Sequence, residues 1–232
     1  MIRHHPDQNI LADFAAGSLA PAFAVGVRAH LHYCEECRDR VQQFEQIGAG
    51  ILDAAEPVAI DEKACDNLFE LIDASTDKST DTSDSTNTAD TTSAPVSRTR
   101  GSATQHGAPA VITKLLGSEK IEQGNWRTLS PSLKRIQLAP GENGEAINLY
   151  RIKPGGKIPA HEHRGDELTL VLKGSFSDQK GVYQQGDFLL RSSGDSHRPL
   201  ASQDEEGICF AVEASSPRFT GPLGKLLNFA IG

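Results

Sequence analysis

The chain has 232 residues and carries 23 Lys and Arg against 31 Asp and Glu, a formal net charge of −8. This length is enough for two domains and is also compatible with one. No apolar run of 18 or more residues occurs, so no transmembrane helix is predicted, and the first residues lack the apolar core of a signal peptide. We therefore expect a cytoplasmic protein whose cysteines are metal ligands or free thiols rather than disulfides.

The acidic excess is confined to the first third of the chain. Residues 1–74 hold 5 Lys and Arg against 13 Asp and Glu, whereas residues 107–232 hold 15 against 14. Binding to a phosphate backbone requires clustered Lys and Arg, so direct nucleic-acid binding is not expected. An acidic segment suits a basic protein partner, and it is equally compatible with a solvated helical surface.

Four helices are predicted in residues 1–74, because apolar residues recur there every three to four positions. The predicted helices are Asp7–Ala16, Ala20–His32, Glu36–Ala55 and Asp61–Asp73. The second contains Pro21 near its start, where proline is favoured. Most apolar stripes face a core, but the last helix of so small a domain can instead offer its stripe to a partner.

Residues with metal-binding side chains are spaced through this helical segment. They are His5, His30, Cys34 and Cys37. Two imidazoles and two thiolates are a ligand set that Zn²⁺ accepts in a tetrahedron, and His30 and Cys34 lie one turn apart on a helix. A lone Cys-x2-Cys pair is also compatible with a redox function. His4 and His32 compete with His5, although on a helix position 32 points away from the other ligands.

Residues His5–Leu19, followed by His30-x3-Cys34-x2-Cys37, resemble the zinc-binding anti-sigma domain of the ChrR-type anti-sigma factors. The resemblance covers the first 40 residues, and the predicted helices extend it to about residue 74. It implies a small helical domain that binds an alternative sigma factor of the extracytoplasmic-function group. Such a domain holds the sigma factor away from RNA polymerase.

The composition changes abruptly after residue 74. Residues 75–93 are rich in Ser, Thr and Asp and contain no large apolar side chain, so they bury too little surface to offset the entropy of ordering. We interpret residues 75–106 as a flexible linker. We accordingly expect residues 1–74 and 107–232 to be separate domains that fold independently.

Residues 107–232 have the pattern of an all-β sandwich or barrel, with short apolar or alternating runs between Gly, Pro, Asn and Asp. The clearest runs are Ala146–Ile152, Glu167–Leu172, Asp187–Leu190 and Ile208–Glu213. The tail Pro222–Ile231 is expected to pack on the barrel or between domains. The predicted fold class is therefore α + β with two domains, a small helical zinc domain joined by a flexible linker to an all-β barrel.

A second set of metal-binding side chains lies in this β segment. It consists of His161, His163, Glu167 and His197. The patterns Gly155-x5-His161-x-His163-x3-Glu167-x6-Gly174 and Gly186-x7-Gly194-x2-His197 resemble the two motifs of the cupin superfamily, a jelly-roll barrel. His161 and His163 point to one face of a strand, and the other two can converge on it. The set suits Zn²⁺ or another divalent transition metal, and an inherited barrel without metal is the alternative.

A helical zinc domain followed by one cupin barrel is the domain order of the ChrR-type anti-sigma factors. The resemblance implies a regulator in which the N-terminal domain suffices to bind the sigma factor. The cupin domain is then needed for the response to singlet oxygen or related oxidants, which ends in sigma release. The competing hypothesis is an enzyme, a metal-dependent cupin dioxygenase or isomerase with a zinc adaptor. Neither motif contains an unambiguous further acid or base beyond the ligands, and we assign no catalytic residue.

Overall fold

The computed structural model describes residues 2–59, 61–76, 107–216 and 218–220. Within these ranges the helices are α1 Gln8–Ala15, α2 Pro21–Tyr33, α3 Glu35–Asp53, α4 Glu62–Thr76 and α5 Ala110–Leu116. A 3₁₀ turn covers Ile121–Gln123. Most of the predicted linker and the predicted tail Pro222–Ile231 lie outside the described residues.

The four helices predicted for the N-terminal segment are confirmed, with ends displaced by one to three residues. Asp7 caps α1 because its carboxylate accepts the backbone N–H of Ile10 at 2.9 Å. Pro21 occupies the first position of α2, where its missing N–H costs no hydrogen bond. Among the helices that the structure describes, none has the length and apolar character needed to cross a membrane.

Short strands build the C-terminal part of the chain. They are β1 Arg127–Ser130, β2 Leu133–Pro140, β3 Ala146–Ile152, β4 His161–Glu162, β5 Glu167–Lys173, β6 Ser175–Asp178, β7 Gly181–Gln184, β8 Phe188–Arg191, β9 Ser196–His197, β10 Leu200–Ala201, β11 Gly207–Glu213 and β12 Arg218–Phe219. One sheet has six strands in the order β1-β2-β3-β11-β5-β8, and two have three, β10-β6-β7 and β12-β4-β9. The described pairings between these strands are antiparallel, as in a jelly-roll barrel.

The central strands β5 and β11 are largely buried on both faces, and their outer face is apolar. On the outer face Leu168 and Leu170 lie opposite Val212 and Phe210, all four fully buried. On the inner face Cys209 packs in a second cluster inside the barrel. An apolar strand face has to be covered by another layer, so the sheet requires a second layer outside the barrel.

Helix α2 supplies that layer. Its buried residues Val27 and Ala29 share one hydrophobic core with Leu168, Leu170 and the other outward residues of β5 and β11. Burial of each large side chain contributes roughly 1.5–3 kcal/mol. The helix therefore contributes to the stability of the barrel, and the barrel to that of the helix.

Residues 1–74 and 107–232 do not coincide with the compact units of the structure, and their independent folding stays a prediction. The described residues up to 49 and those from 107 onward form one compact unit, and the described residues between 50 and 76 form a second. The cause is the covered outer face of the sheet, which separation of the helices would expose to water. The predicted boundaries and the flexible linker 75–106 remain predictions.

The closest approach of α2 to the sheet is at Gly26. A Cβ atom at this position would lie 2.5 Å from Cδ1 of Leu168, which is fully buried. We predict that Gly26→Leu lowers the free energy of unfolding by about 1–3 kcal/mol through overpacking. Gly48→Leu is the matched control, because a Cβ atom there has open space around it on α3.

Urea unfolding of the full chain provides the measurement. We expect Gly48→Leu to be neutral or slightly stabilising, since leucine favours a helix over glycine. Equal stability of the Gly26→Leu and Gly48→Leu variants would contradict packing of α2 on the sheet.

Candidate metal centres

The first candidate centre joins the chain start to the end of α2 and the start of α3. His5 Nδ1 lies 3.3 Å from Cys34 Sγ and 3.4 Å from Cys37 Sγ. His30 Nε2 lies 3.3 Å from Cys37 Sγ. The structure therefore brings together all four residues that the sequence singled out, and their ligand atoms lie within 4.8 Å of one another.

These distances suit a tetrahedral zinc site. Bonds of about 2.0 Å to nitrogen and 2.3 Å to sulfur at tetrahedral angles place nitrogen and sulfur about 3.5 Å apart. The side chain of His30 is fully buried and Cys34 and Cys37 nearly so. Because the backbone carbonyl of Gly186 accepts a hydrogen bond from His30 Nδ1 at 2.8 Å, the lone pair of Nε2 faces the sulfur atoms. Four donors with no gap between them form a closed, structural type of site.

The two rival histidines lie outside this cluster. The ring of His4 contacts that of Tyr183 on β7, with centroids 4.8 Å apart. The ring of His32 lies against Tyr33, also at 4.8 Å. The geometry thus favours His5 over both alternatives as the fourth ligand.

The thiol pair is electrostatically asymmetric. A hydrogen bond from Cys37 holds the pKa of Cys34 well below its usual range, while the same contact and burial raise the pKa of Cys37. The thiolate is the form of cysteine that binds metal. Hydrogen bonding within the pair therefore favours the thiolate form of Cys34.

The second candidate centre lies inside the barrel, where three imidazoles meet. Nε2 of His197 lies 2.9 Å from Nε2 of His161 and 3.1 Å from Nε2 of His163. Nitrogen ligands on one ion stand about 3.0 Å apart in octahedral and about 3.3 Å apart in tetrahedral geometry. The three residues come from β4, from the turn after it and from β9, which pairs with β4.

Each of these rings is oriented by an acceptor on its outer nitrogen. Nδ1 of His161 is 3.0 Å from the carbonyl oxygen of Pro159, and Nδ1 of His197 is 3.0 Å from Asp178 Oδ2. Nδ1 of His163 is 3.2 Å from Glu167 Oε2. Since these acceptors hold the protons on Nδ1, three Nε2 lone pairs converge on one point, which is the arrangement of a metal-binding triad.

Glu167 differs from its predicted position. Its carboxylate contacts the far side of His163 and accepts a hydrogen bond from Thr169 Oγ1 at 2.9 Å. Burial opposes its ionisation, but the contact with His163 outweighs burial, so the pKa of Glu167 lies below its usual value. In this structure it orients a histidine, and its direct binding to a metal stays a prediction.

Burial favours the neutral, metal-binding form of the imidazoles of His161 and His197. Desolvation, followed by the nearby His161, lowers the pKa of His197 to about 4, and desolvation also lowers that of His161. Burial of Asp178 is outweighed by its hydrogen bond from His197, so its pKa lies below the usual value. Sequence analysis missed Asp178, because an aspartate beside Gly181 in a hairpin has the pattern of an ordinary turn residue.

A mostly apolar pocket opens beside the three imidazoles. Its lining includes Leu133, Ile152, Phe176 and Phe219, together with His161 and His197. Its polar end is Glu213, which accepts hydrogen bonds from Tyr150 Oη at 2.9 Å and Asn148 Nδ2 at 2.8 Å. Burial, followed by the charge of Glu167, raises the pKa of Glu213 to about 7. A metal on the three imidazoles would face this pocket.

Three comparisons with known proteins agree with a cupin barrel that follows N-terminal helices. Residues 118–216 match the family described as the ChrR cupin-like domain. The chain is 32% identical over 228 residues to the anti-sigma-E factor ChrR of Cereibacter sphaeroides, covering 98% of this chain and 97% of that protein. It is also similar to the crystal structure of Rhodobacter sphaeroides SigE in complex with the anti-sigma ChrR. That match has a TM-score of 0.70 and 28% identity and covers 92% of this chain and 100% of the other.

We predict that the purified protein holds one metal ion at each centre. Cys34→Ser should remove one equivalent and leave the other, since only the N-terminal cluster contains this thiolate. His161→Ala should remove the other equivalent, and Cys65→Ser, at an exposed position on α4, should remove none. Elemental analysis of the desalted proteins tests this, and loss of both ions in either cluster variant would contradict two separate sites.

Proposed function

We propose that this chain, which belongs to the ChrR family of anti-sigma factors, sequesters an extracytoplasmic-function sigma factor through its N-terminal helices. Release of the sigma factor then follows an oxidative signal that the cupin barrel senses. Zn²⁺ occupies the Cys and His cluster, and Zn²⁺ or another divalent transition metal occupies the barrel cluster. The chain is in this view a regulator of transcription and does not itself bind DNA.

The observation that carries the proposal is the apolar surface of α3 and α4. Large apolar side chains on these helices are between 49% and 75% exposed. They are Ile47, Ile51, Leu52, Leu68, Phe69, Leu71 and Ile72. Scattered exposed apolar residues are normal, but apolar stripes along successive helices indicate a surface that a partner covers. Amphipathic helices of this kind bind a partner through residues at helical spacing.

The charge of the same segment supports a basic partner. Residues 1–74 have a net charge of −8, whereas the barrel segment is nearly neutral. Complementary charge raises the rate of association with a basic protein and discriminates against acidic ones. A DNA-binding sigma factor has the basic surface that this segment suits. SigE is the partner named in the similar crystal structure.

The enzyme hypothesis rests on the pocket beside the three imidazoles, with Glu213 as a buried acid at its polar end. A barrel of this kind permits catalysis and ligand sensing alike, so the fold does not decide between them. Membership of an anti-sigma family and the exposed stripes on α3 and α4 favour the regulator. Purification from native cells separates the two hypotheses: a bound sigma factor supports the regulator, and turnover of a small carbonyl substrate without such a partner supports the enzyme.

We predict that Phe69→Glu weakens binding of the cognate sigma factor by on the order of 30-fold or more, because a charge is placed in the centre of an apolar interface. Val182→Glu on β7 is the matched control, since both side chains are 64% exposed. Isothermal titration with the purified sigma factor measures the effect. Similar affinities of the two variants would place the interface elsewhere.

We also predict that combined His161→Ala and His163→Ala substitutions leave zinc-saturated protein able to bind the sigma factor, because the proposed binding surface is N-terminal. The same variant should fail to induce sigma-dependent transcription after singlet oxygen or peroxide treatment. A reporter strain supplies the measurement. Full induction in this variant would move sensing to the zinc-bound thiolates Cys34 and Cys37, which oxidants can also attack.

A further inference from the structure

The turn between β7 and β8 touches the segment that carries His5. Asp187, fully buried in this turn, accepts the backbone N–H groups of Arg3 at 2.8 Å and His4 at 3.1 Å on one carboxylate oxygen. The N–H of Phe188 donates to the carbonyl oxygen of His4 at 2.9 Å. His4 is therefore hydrogen-bonded to the barrel through both its N–H and its carbonyl group. Because His4 directly precedes His5, these bonds set the position of His5.

The same turn holds His30. Nδ1 of this residue donates to the carbonyl oxygen of Gly186 at 2.8 Å, and its ring contacts the ring of Phe188 at a centroid distance of 5.7 Å. Gly186 has φ +90°, and a Cβ atom there would lie 2.7 Å from Cδ1 of Ile2 and 3.1 Å from Cβ of Tyr33. The turn therefore lies directly against both the chain start and α2. Three successive barrel residues, 186–188, position two of the four candidate zinc ligands.

A chain of buried side chains runs from this turn to the barrel cluster. The ring of Tyr183 contacts that of His4, and its hydroxyl donates to Asp178 Oδ1 at 3.1 Å. Arg191 donates to the other carboxylate oxygen of Asp178 at 2.6 Å and to the hydroxyl of Tyr183 at 3.1 Å. Asp178 Oδ2 in turn accepts from Nδ1 of His197. Each of these side chains is at most 7% exposed, except that of His4 at 39%.

We propose that the β7–β8 turn is the outer shell of the N-terminal zinc site and that Asp178 and Tyr183 couple this shell to His197 of the barrel cluster. This inference rests on the proposed zinc site. Groups that orient a metal ligand typically change metal affinity 10- to 100-fold when removed. Coupling between two sites is a free energy and acts in both directions. A change at the three imidazoles then alters metal binding at the thiolates through packed, hydrogen-bonded groups.

The outer-shell part predicts that Asp187 is a positioning residue for a site to which it is not a ligand. The full chain is loaded with Co²⁺, and the thiolate-to-cobalt charge-transfer absorption is followed during competition with a chelator. Loss of this absorption in Cys34→Ser assigns it to the N-terminal site. We expect Asp187→Asn to weaken Co²⁺ binding at least tenfold and to shift the band, since an amide cannot accept from all three N–H groups, including that of Gln184 at 2.9 Å.

Glu145→Gln is the matched control for a buried carboxylate in a barrel turn. Glu145 is 8% exposed and accepts the N–H of Asn143 at 3.0 Å in the turn between β2 and β3. We expect its Co²⁺ affinity to stay within twofold of the unsubstituted chain. If Asp187→Asn does not fold, Phe188→Leu takes its place, because it removes the aromatic ring that contacts His30.

The coupling part is tested by a double-mutant cycle on the rate at which Co²⁺ leaves the thiolate site. We expect His197→Ala and Asp178→Asn each to change this rate at least threefold, and the double variant to change it no more than either alone. Such non-additivity identifies residues that act through one another. The signal is the thiolate band, so loss of metal from the barrel itself does not contribute to it.

The outcomes separate the inference from the proposal on which it rests. Absence of a thiolate band in the unsubstituted chain overturns the zinc site and this inference together. A normal band with unchanged affinity in folded Asp187→Asn or Phe188→Leu protein overturns the outer shell alone. An unchanged release rate in His197→Ala, or fully additive rate changes in the cycle, overturns the coupling while leaving the zinc site intact.

Discussion

The packing of α2 on the outer face of the barrel sheet is the interaction on which the rest of the structure depends. Val27 and Ala29 on the helix and Leu168 and Phe210 on the sheet are all fully buried in one core. A shared core of this kind fixes the helix relative to the strands far more firmly than a surface contact does. It sets the end of α2, where His30 lies, directly over the β7–β8 turn.

This position places the candidate N-terminal zinc centre beside the barrel turn. Its ligands connect the first residues of the chain to α2 and α3. Helix α3 continues into the apolar stripe that we propose binds the sigma factor. The carbonyl oxygen of Gly186 in the β7–β8 turn positions His30, and the hydrogen bond from Phe188 to His4 positions His5. The candidate zinc centre therefore lies beside the barrel turn, in the same compact unit as the three imidazoles.

Local sequence patterns predicted much of this molecule, because helices and strands follow from the periodicity of apolar residues. The four N-terminal helices, the strands around residues 146–152 and 167–172, and the grouping of the Cys and His residues all follow from such spacing. The seven-residue helix α5 was not predicted, since so short an element has little periodicity to detect. Glu167 followed the cupin pattern in sequence, but its side chain turned to the far side of His163.

Long-range contacts could not be predicted in the same way. The apolar runs of β5 and β11 were recognised as strands, but only the structure identifies α2 as the element that covers their outer face. The contact between Asp187 and the backbone of Arg3 joins residues 184 positions apart. A single aspartate after a glycine has the local pattern of a turn, and nothing in its neighbourhood indicates a partner at the chain start. The packing of the N-terminal helices on the barrel sheet could not be predicted for the same reason.

The two candidate metal centres differ in whether they leave coordination positions open to an outside ligand. Four side chains complete a tetrahedron at the N-terminal centre, which leaves no position for an outside ligand. The three imidazoles of the barrel leave coordination positions that face the apolar pocket with Glu213 at its polar end. An outside ligand could therefore bind a metal held by the three imidazoles, but not one held by all four N-terminal donors. Under the proposed function, sensing is assigned to the open centre, and the closed centre holds the partner-binding helices until the barrel changes.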